Sequence, residues 1–231
     1  MMRINKYIAN CGFCSRREAD FLLDNDKVLL NGKIAAKGEN VDDTDVVEID
    51  GKILCLTKEK KYFMLNKPVG YTTTLKDNFA KNKVIDLFDV KERIYPVGRL
   101  DKDSFGLLLF TNDGDLAFKL THPSHNVEKE YIVKVNKDVK PFDIKKLCDG
   151  VVIDGKITRK ARFIVDGTDS MTVKVFLKEG RNRQIRKMFD SLGYKVVSLQ
   201  RISFGNIKLG NLKIGNYREL TKEEVSYLRS L

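Results

Sequence analysis

Between residues 62 and 177 the chain breaks into short apolar runs of strand length, bounded by turn formers. The runs are YFMLNK, RIYPVG, GLLLFT, KEYIVKV, VVIDGK, ARFIV and MTVKVFL. In KEYIVKV, Tyr131, Val133 and Val135 share one face of an alternating strand. Few helical patterns separate the runs, so a mixed, mainly antiparallel sheet is expected, not a βαβ series. Asn112-Asp113-Gly114 reads as the turn ending GLLLFT, before a short helix bearing Leu116, Ala117 and Leu120. One further helix stands out. In NRQIRKMFDSLG, Ile185, Met188, Phe189 and Leu192 recur at helical spacing, and Gly193 supplies the stop.

The first 50 residues have a different rhythm. Ser15-Arg16-Arg17-Glu18 fits a capping box, and Ala19, Leu22 and Leu23 then recur at helical spacing as far as Asn25. VLLNGKIA follows, with Asn31-Gly32 as a two-residue hairpin signal. A strand over Val46–Ile49 runs into the Asp50-Gly51 turn, giving the order helix, helix, hairpin, strand. LTKEKK, at 56–61, is charged and aperiodic. The pattern predicts an α+β chain: a small module over 1–55, a linker over 56–61 and a larger domain over 62–231.

Composition changes this picture mainly through charge. A formal net charge of +11 calls for a polyanionic partner. Residues 1–60 hold 10 Lys/Arg against 11 Asp/Glu, so the excess lies in the larger domain. Yet residues 1–37 are basic, seven against four, with the acids gathered at 39–50. Two basic surfaces follow. No apolar run approaches the roughly 18–20 residues of a membrane span, and MMRINKYIANCGF lacks a secretory core. Four cysteines in 231 residues make no disulfide scaffold, so a reducing cytoplasm is the expected setting.

Metals and nucleotides find little support. DKDSFG places Asp101, Asp103 and Gly106 like the start of a calcium loop, but Phe105 and Asn112 stand where an oxygen donor and the closing Glu belong. Cys11 and Cys14 have zinc-like spacing without a second pair, and read as small part-buried residues between two helices. There is no phosphate-binding glycine loop. The two histidines, His122 and His125, share one turn, which leaves general-base catalysis by histidine unsupported.

Carboxylates and arginines remain. Asp101 sits just ahead of the apolar run Gly106–Phe110. Arg183 and Arg186 flank the apolar stripe of the 182–193 helix, facing either RNA phosphates or solvent. Tyr131 is either a stacking platform for an extruded base or plain core.

Several stretches together resemble the ribosomal RNA pseudouridine synthases of the small-subunit/large-subunit branch. MRINKYIANCGFCSRREADFLLDNDKVLLNG is similar to an S4 RNA-binding domain, and LNKPVGYTTT to the family's Lys-Pro motif. VGRLDKDSFGLLLFTNDGDLA, EKEYIVKV and EGRNRQIRKM resemble the motifs that carry its aspartate, its tyrosine and a basic partner. The resemblance implies that Asp101 attacks C1′ or takes the C2′ proton, that Tyr131 holds the flipped base, and that Arg186 keeps the carboxylate charged. A guanidinium within about 4–6 Å would do so.

It further implies that Arg99 reads or props open the RNA. Lys67 and Pro68 support the cleft, with Lys67 counted among the RNA-facing cations alongside Arg183, Arg3, Lys6, Arg16, Arg17 and Lys33. No metal and no nucleotide cofactor is expected, and no membrane. The expected partner is ribosomal RNA, 23S ahead of 16S, bound by a monomer in the cytoplasm. The competing expectation is a non-catalytic RNA-binding or ribosome-assembly protein.

Overall fold

The computed structural model describes every residue except Asp43, Lys58 and Asn78. Part of the expected 56–61 linker, Lys58, therefore lies outside the described residues. The chain divides into two compact units. One is Met1–Lys61 with Val90–Ile94 and Asn112–Gly114, and the other is the remainder.

In the first unit, helices α1 (Ile4–Asn10) and α2 (Arg16–Asp24) pack over a four-stranded antiparallel sheet. Ser15 starts α2 as expected: its hydroxyl accepts the Glu18 N–H at 3.2 Å. Ile4, Ile8, Ala19 and Leu23 meet Val28, Val47 and Ile49 in one core. Asn31 and Gly32 take φ of 52° and 79°, and Asp50 and Gly51 take 50° and 75°. Both pairs thus make the twisted turn that the Asn-Gly and Asp-Gly signals foretell. Cys14 belongs to this core, and burial, with Cys55 nearby, pushes the Cys11 thiol up to about 11. Among the described residues no cluster of three His, Cys, Asp or Glu is placed to hold a metal.

The second unit is α+β and built on a nine-stranded mixed sheet. Numbered along this unit, its strands are β1 (Tyr62–Lys67), β2 (Tyr95–Val97), β3 (Phe105–Thr111), β4 (Lys129–Val135) and β5 (Arg162–Val165). They continue as β6 (Thr172–Leu177), β7 (Val196–Phe204), β8 (Ile207–Lys208) and β9 (Tyr217–Glu219). Helices α3 (Gly114–Thr121), α4 (Pro141–Asp149), α5 (Gln184–Asp190) and α6 (Lys222–Ser230) accompany them. The order is β5-β6-β4-β7-β3-β1-β9, with β8 beside β7 and β2 beside β3. VVIDGK proves to be a small hairpin, not one strand. Val152–Ile153 pairs with Lys156–Ile157 because Asp154 and Gly155 adopt the same positive-φ turn, at 50° and 73°.

Every strand pair in this sheet is antiparallel except β3 with β7. The parallel seam is brief, Phe105 opposite Gln200 and Gly106 opposite Arg201. It joins two half-sheets, each with a core of its own. Val133, Val175, Met188 and Phe189 anchor one core; Met64, Leu107, Leu109 and Leu116 anchor the other. Gly106 makes the seam possible. Its φ is +104°, and a Cβ there would lie 2.2 Å from the Arg201 carbonyl oxygen. Gly106→Ala must therefore part the strands, and its expected loss of stability is about 3 kcal/mol or more. Thermal unfolding of the variant beside wild type measures it, and an unchanged melting temperature would disprove the tight seam.

Among the described residues no helix is long and apolar enough to cross a membrane.

Candidate active site

Just ahead of the seam, the chain makes a tight turn over residues 101–104 before entering β3. Ser104 N–H donates to the Asp101 carbonyl at 3.1 Å, and Gly70 N–H donates to the Lys102 carbonyl at 2.8 Å. Thr73 donates its hydroxyl to the Leu100 carbonyl at 2.6 Å. From beneath, the Lys67 ammonium donates to the carbonyls of Pro68 (3.0 Å), Asp101 (3.0 Å) and Ser104 (2.7 Å). All three of its protons are spent on backbone. Lys67 is 0% exposed, and burial, partly opposed by Asp101 and Asp103, lowers its pKa to about 8. This corrects one expectation. Lys67 cannot meet RNA; it supports the loop that carries Asp101.

Held by that turn, the Asp101 side chain stays 29% exposed and lines a cavity of about 650 Å³. Tyr131 from β4, Arg99 ahead of the turn and Arg183 at the head of α5 line the same cavity. Tyr131 is half-buried and also packs on the β4–β6 core, so the stacking and core readings coexist in one residue.

Arg183, not Arg186, is the arginine nearer the Asp101 carboxylate. Arg183, whose φ of 51° is uncommon for a non-glycine residue, sends Nη1 to within 3.9 Å of the Asp101 carboxylate. It also grips Asp103 two-pronged, at 3.1 and 2.9 Å. Arg186 instead lies with its Nε 3.3 Å from Asp103, and donates to the carbonyls of Asp103 (2.9 Å) and Val196 (3.1 Å). It meets Asp101 only through longer-range charge. Burial pulls the Arg186 pKa down, and Asp103 opposes that. For Asp103, burial works against the charged form, yet the Arg183 hydrogen bonds and the two guanidinium charges hold its pKa below the usual carboxylate range.

Asp103 is thus the charge that sequence reasoning missed. A calcium-loop comparison draws the eye to it for the wrong reason; its position two residues ahead of β3 says nothing of arginines eighty residues on. Asp103→Asn is expected to slow the reaction by roughly tenfold, because it loosens Arg183 and Arg186. The same variant should bind RNA no more weakly, since one negative charge is gone. Parallel rate and affinity measurements check this, and a rate equal to wild type would sink it.

Of the cations expected on the small module, Arg3, Arg16, Arg17 and Lys33 are exposed and Lys6 is half-buried. Arg201 and Lys129, which line the cavity floor, escaped notice. An arginine in the middle of VVSLQRISF breaks the apolar alternation that would have marked β7 as a central strand.

One cavity on the mixed sheet is thus lined by an aspartate, a tyrosine and an arginine. The RNA pseudouridylate synthase model matches residues 61–191, and the S4 domain model matches residues 2–47. The chain belongs to the RNA pseudouridylate synthase family, with an N-terminal S4 domain. It is 38% identical to the ribosomal large subunit pseudouridine synthase B of Bacillus subtilis (strain 168), over 100% of this chain and 97% of that protein. The dual-specificity RNA pseudouridine synthase RluF of Escherichia coli (strain K12) is 38% identical, over 97% of this chain and 77% of that protein. A crystal structure of a pseudouridylate synthase superposes with a TM-score of 0.72 at 31% identity, covering 99% of this chain and 100% of that one.

Proposed function

We propose that this chain converts one uridine of 23S ribosomal RNA to pseudouridine, with Asp101 as the reacting carboxylate. The observation that carries the reading is the placement of Asp101, Tyr131 and Arg183 around one cavity wide enough for a single nucleoside. The relatives named for the large ribosomal subunit support the choice of RNA. A reducing cytoplasm belongs to the same proposal, supported by four cysteines that remain thiols.

The reaction breaks the N1–C1′ bond of uridine and joins C5 to C1′. Nothing is consumed: a proton leaves C5 and one is gained at N1. An ionised carboxylate serves either as a nucleophile that forms an ester at C1′ or as a base that takes the C2′ proton. Arg183 lies 3.9 Å from that carboxylate, within ion-pair reach. The rigid turn keeps the carboxylate in attack geometry. Tyr131 offers a face on which the unstacked base rests, and Arg99 an exposed cation at the mouth. Extrusion costs a few kcal/mol, which phosphate contacts by the basic surfaces offset.

The test uses ribosomal RNA from cells lacking the protein. Incubation with wild type should add one pseudouridine to 23S RNA, mapped by chemical labelling and primer extension. A new site only in 16S RNA would overturn the substrate assignment, and none in any RNA would leave an RNA-binding role. Binding should also weaken by roughly 10³-fold as salt rises from about 50 to 200 mM. An affinity indifferent to salt in a binding titration would contradict the electrostatic account.

A further inference from the structure

The cavity floor carries two cations for which the steps above have no task. Arg201 is 3% exposed, and its Nε donates to the Leu107 carbonyl at 2.7 Å. Its buried Nη2 has no hydrogen-bond partner among the described residues. The Lys129 ammonium lies 5.3 Å from the centre of the Phe204 ring, and the Arg201 guanidinium lies 5.8 Å from that same ring. Two cations share this floor, and among the described residues no carboxylate forms an ion pair with either. A buried donor left unmade is costly, and two unpaired cations more so. Such an arrangement persists when an anion arrives to complete it.

The choice of anion follows from depth. A phosphate belongs to the RNA backbone, which stays at the mouth, whereas a flipped base reaches the floor. In the β4–β7 register Tyr131 stands opposite Arg201, so the two side chains project from one face of the sheet. A base resting on Tyr131 then turns an edge toward the guanidinium.

We propose that Arg201 and Lys129 receive the negative charge that uracil carries away when its N1–C1′ bond breaks. This rests on the uridine-isomerising reading above. In the step, the bonding pair departs with the base, and the charge spreads over N1, O2 and O4. C1′ bonds to the Asp101 carboxylate, or C2′ loses its proton to it. Donors aimed at those oxygens act where charge develops, which is the condition for accelerating the step. C5 then joins C1′ as the C1′–oxygen bond to Asp101 breaks, or as Asp101 returns the proton to C2′; the C5 proton is lost, N1 is protonated, and the base is neutral again.

Burial, with Arg201 beside it, lowers the Lys129 pKa to about 8, so the ammonium is present below that pH and lost above it. Other ionisable groups line the same cavity: Arg99 and Asp101 ahead of β3, Lys178, Glu179 and Arg181 after β6, Arg159 ahead of β5, His122 after α3 and Arg183 at α5. A lysine-to-arginine variant separates Lys129 from all of these.

The full-length chain is assayed under single turnover on unmodified 23S RNA, as wild type, Lys129→Met and Lys129→Arg, from pH 6 to 9.5. The methionine variant should react roughly 10²-fold more slowly while binding RNA within about threefold of wild type. Arginine should restore most of the rate. The wild-type rate should fall above pH 8, and the arginine variant should lack that fall. A methionine variant at wild-type rate overturns the proposal. So does a loss lying wholly in RNA affinity, or an alkaline fall that survives in the arginine variant. Should wild type form no pseudouridine on any RNA, the isomerising reading fails, and this inference with it.

Discussion

Asp101→Asn is expected to abolish pseudouridine formation, by at least about 10⁴-fold in single-turnover rate, with RNA affinity nearly unchanged. Asparagine has the volume of aspartate and sits on the same turn, where Lys67 and Ser104 hold the Asp101 carbonyl and not its side chain. Fold and cleft should therefore survive. The amide lacks the charge needed to displace uracil at C1′ and the basicity needed to take a C2′ proton. Both routes stop. Mapping pseudouridine after prolonged incubation, beside a filter-binding titration, separates chemistry from binding. A variant that still modified RNA within about tenfold of wild type would remove Asp101 from the reaction.

Lys67→Met should reduce both stability and rate. Methionine fills the shaft of the lysine site but donates nothing, and the three carbonyls lose their charged donor. Asp101 keeps one bond, from Ser104 N–H, so the damage centres on Pro68 and Ser104. A loss of about 3 kcal/mol is expected, read by urea titration. The slackened turn should also displace Asp101, and a shift near 1 Å lowers rate by about 10²-fold.

The pH dependence has a definite sign. The folded pKa of Lys67, about 8, lies below its ordinary 10.5. Between these values the unfolded chain binds more protons, so stability rises with pH across this window. The lysine's contribution should grow by on the order of 3 kcal/mol from pH 8 to pH 10.5. The difference between wild type and Lys67→Met isolates it from other lysines. A difference that is flat across the window would show that the amine is not desolvated.

Local signals gave a good account of local structure. Ser15, Asn31-Gly32 and the Ile185/Met188/Phe189 stripe each contain their own instruction, and each sits where its chemistry directs. Two helices were equally readable and overlooked. Pro141 opens α4, and Thr221 caps α6 through a reciprocal pair with Glu224. β7 is different in kind. Its register shifts against β4 on either side of Tyr131–Lys134, so no single alternation runs through it. The site was half visible. Asp101 and Tyr131 stand within motifs, whereas the Asp103–Arg183 pair joins residues that only the seam brings together. Long-range pairing of charges has no local pattern to betray it.

The seam also dictates when the enzyme can work. Its two strands lie about ninety-five residues apart, and the cavity draws on residues from Val97 to Phe204. A growing polypeptide has Asp101 long before it has Arg201. Until Arg201 has been made, the Asp101 carboxylate stands at an unfinished sheet edge. A nascent chain thus carries Asp101 before the strand that completes its cavity exists.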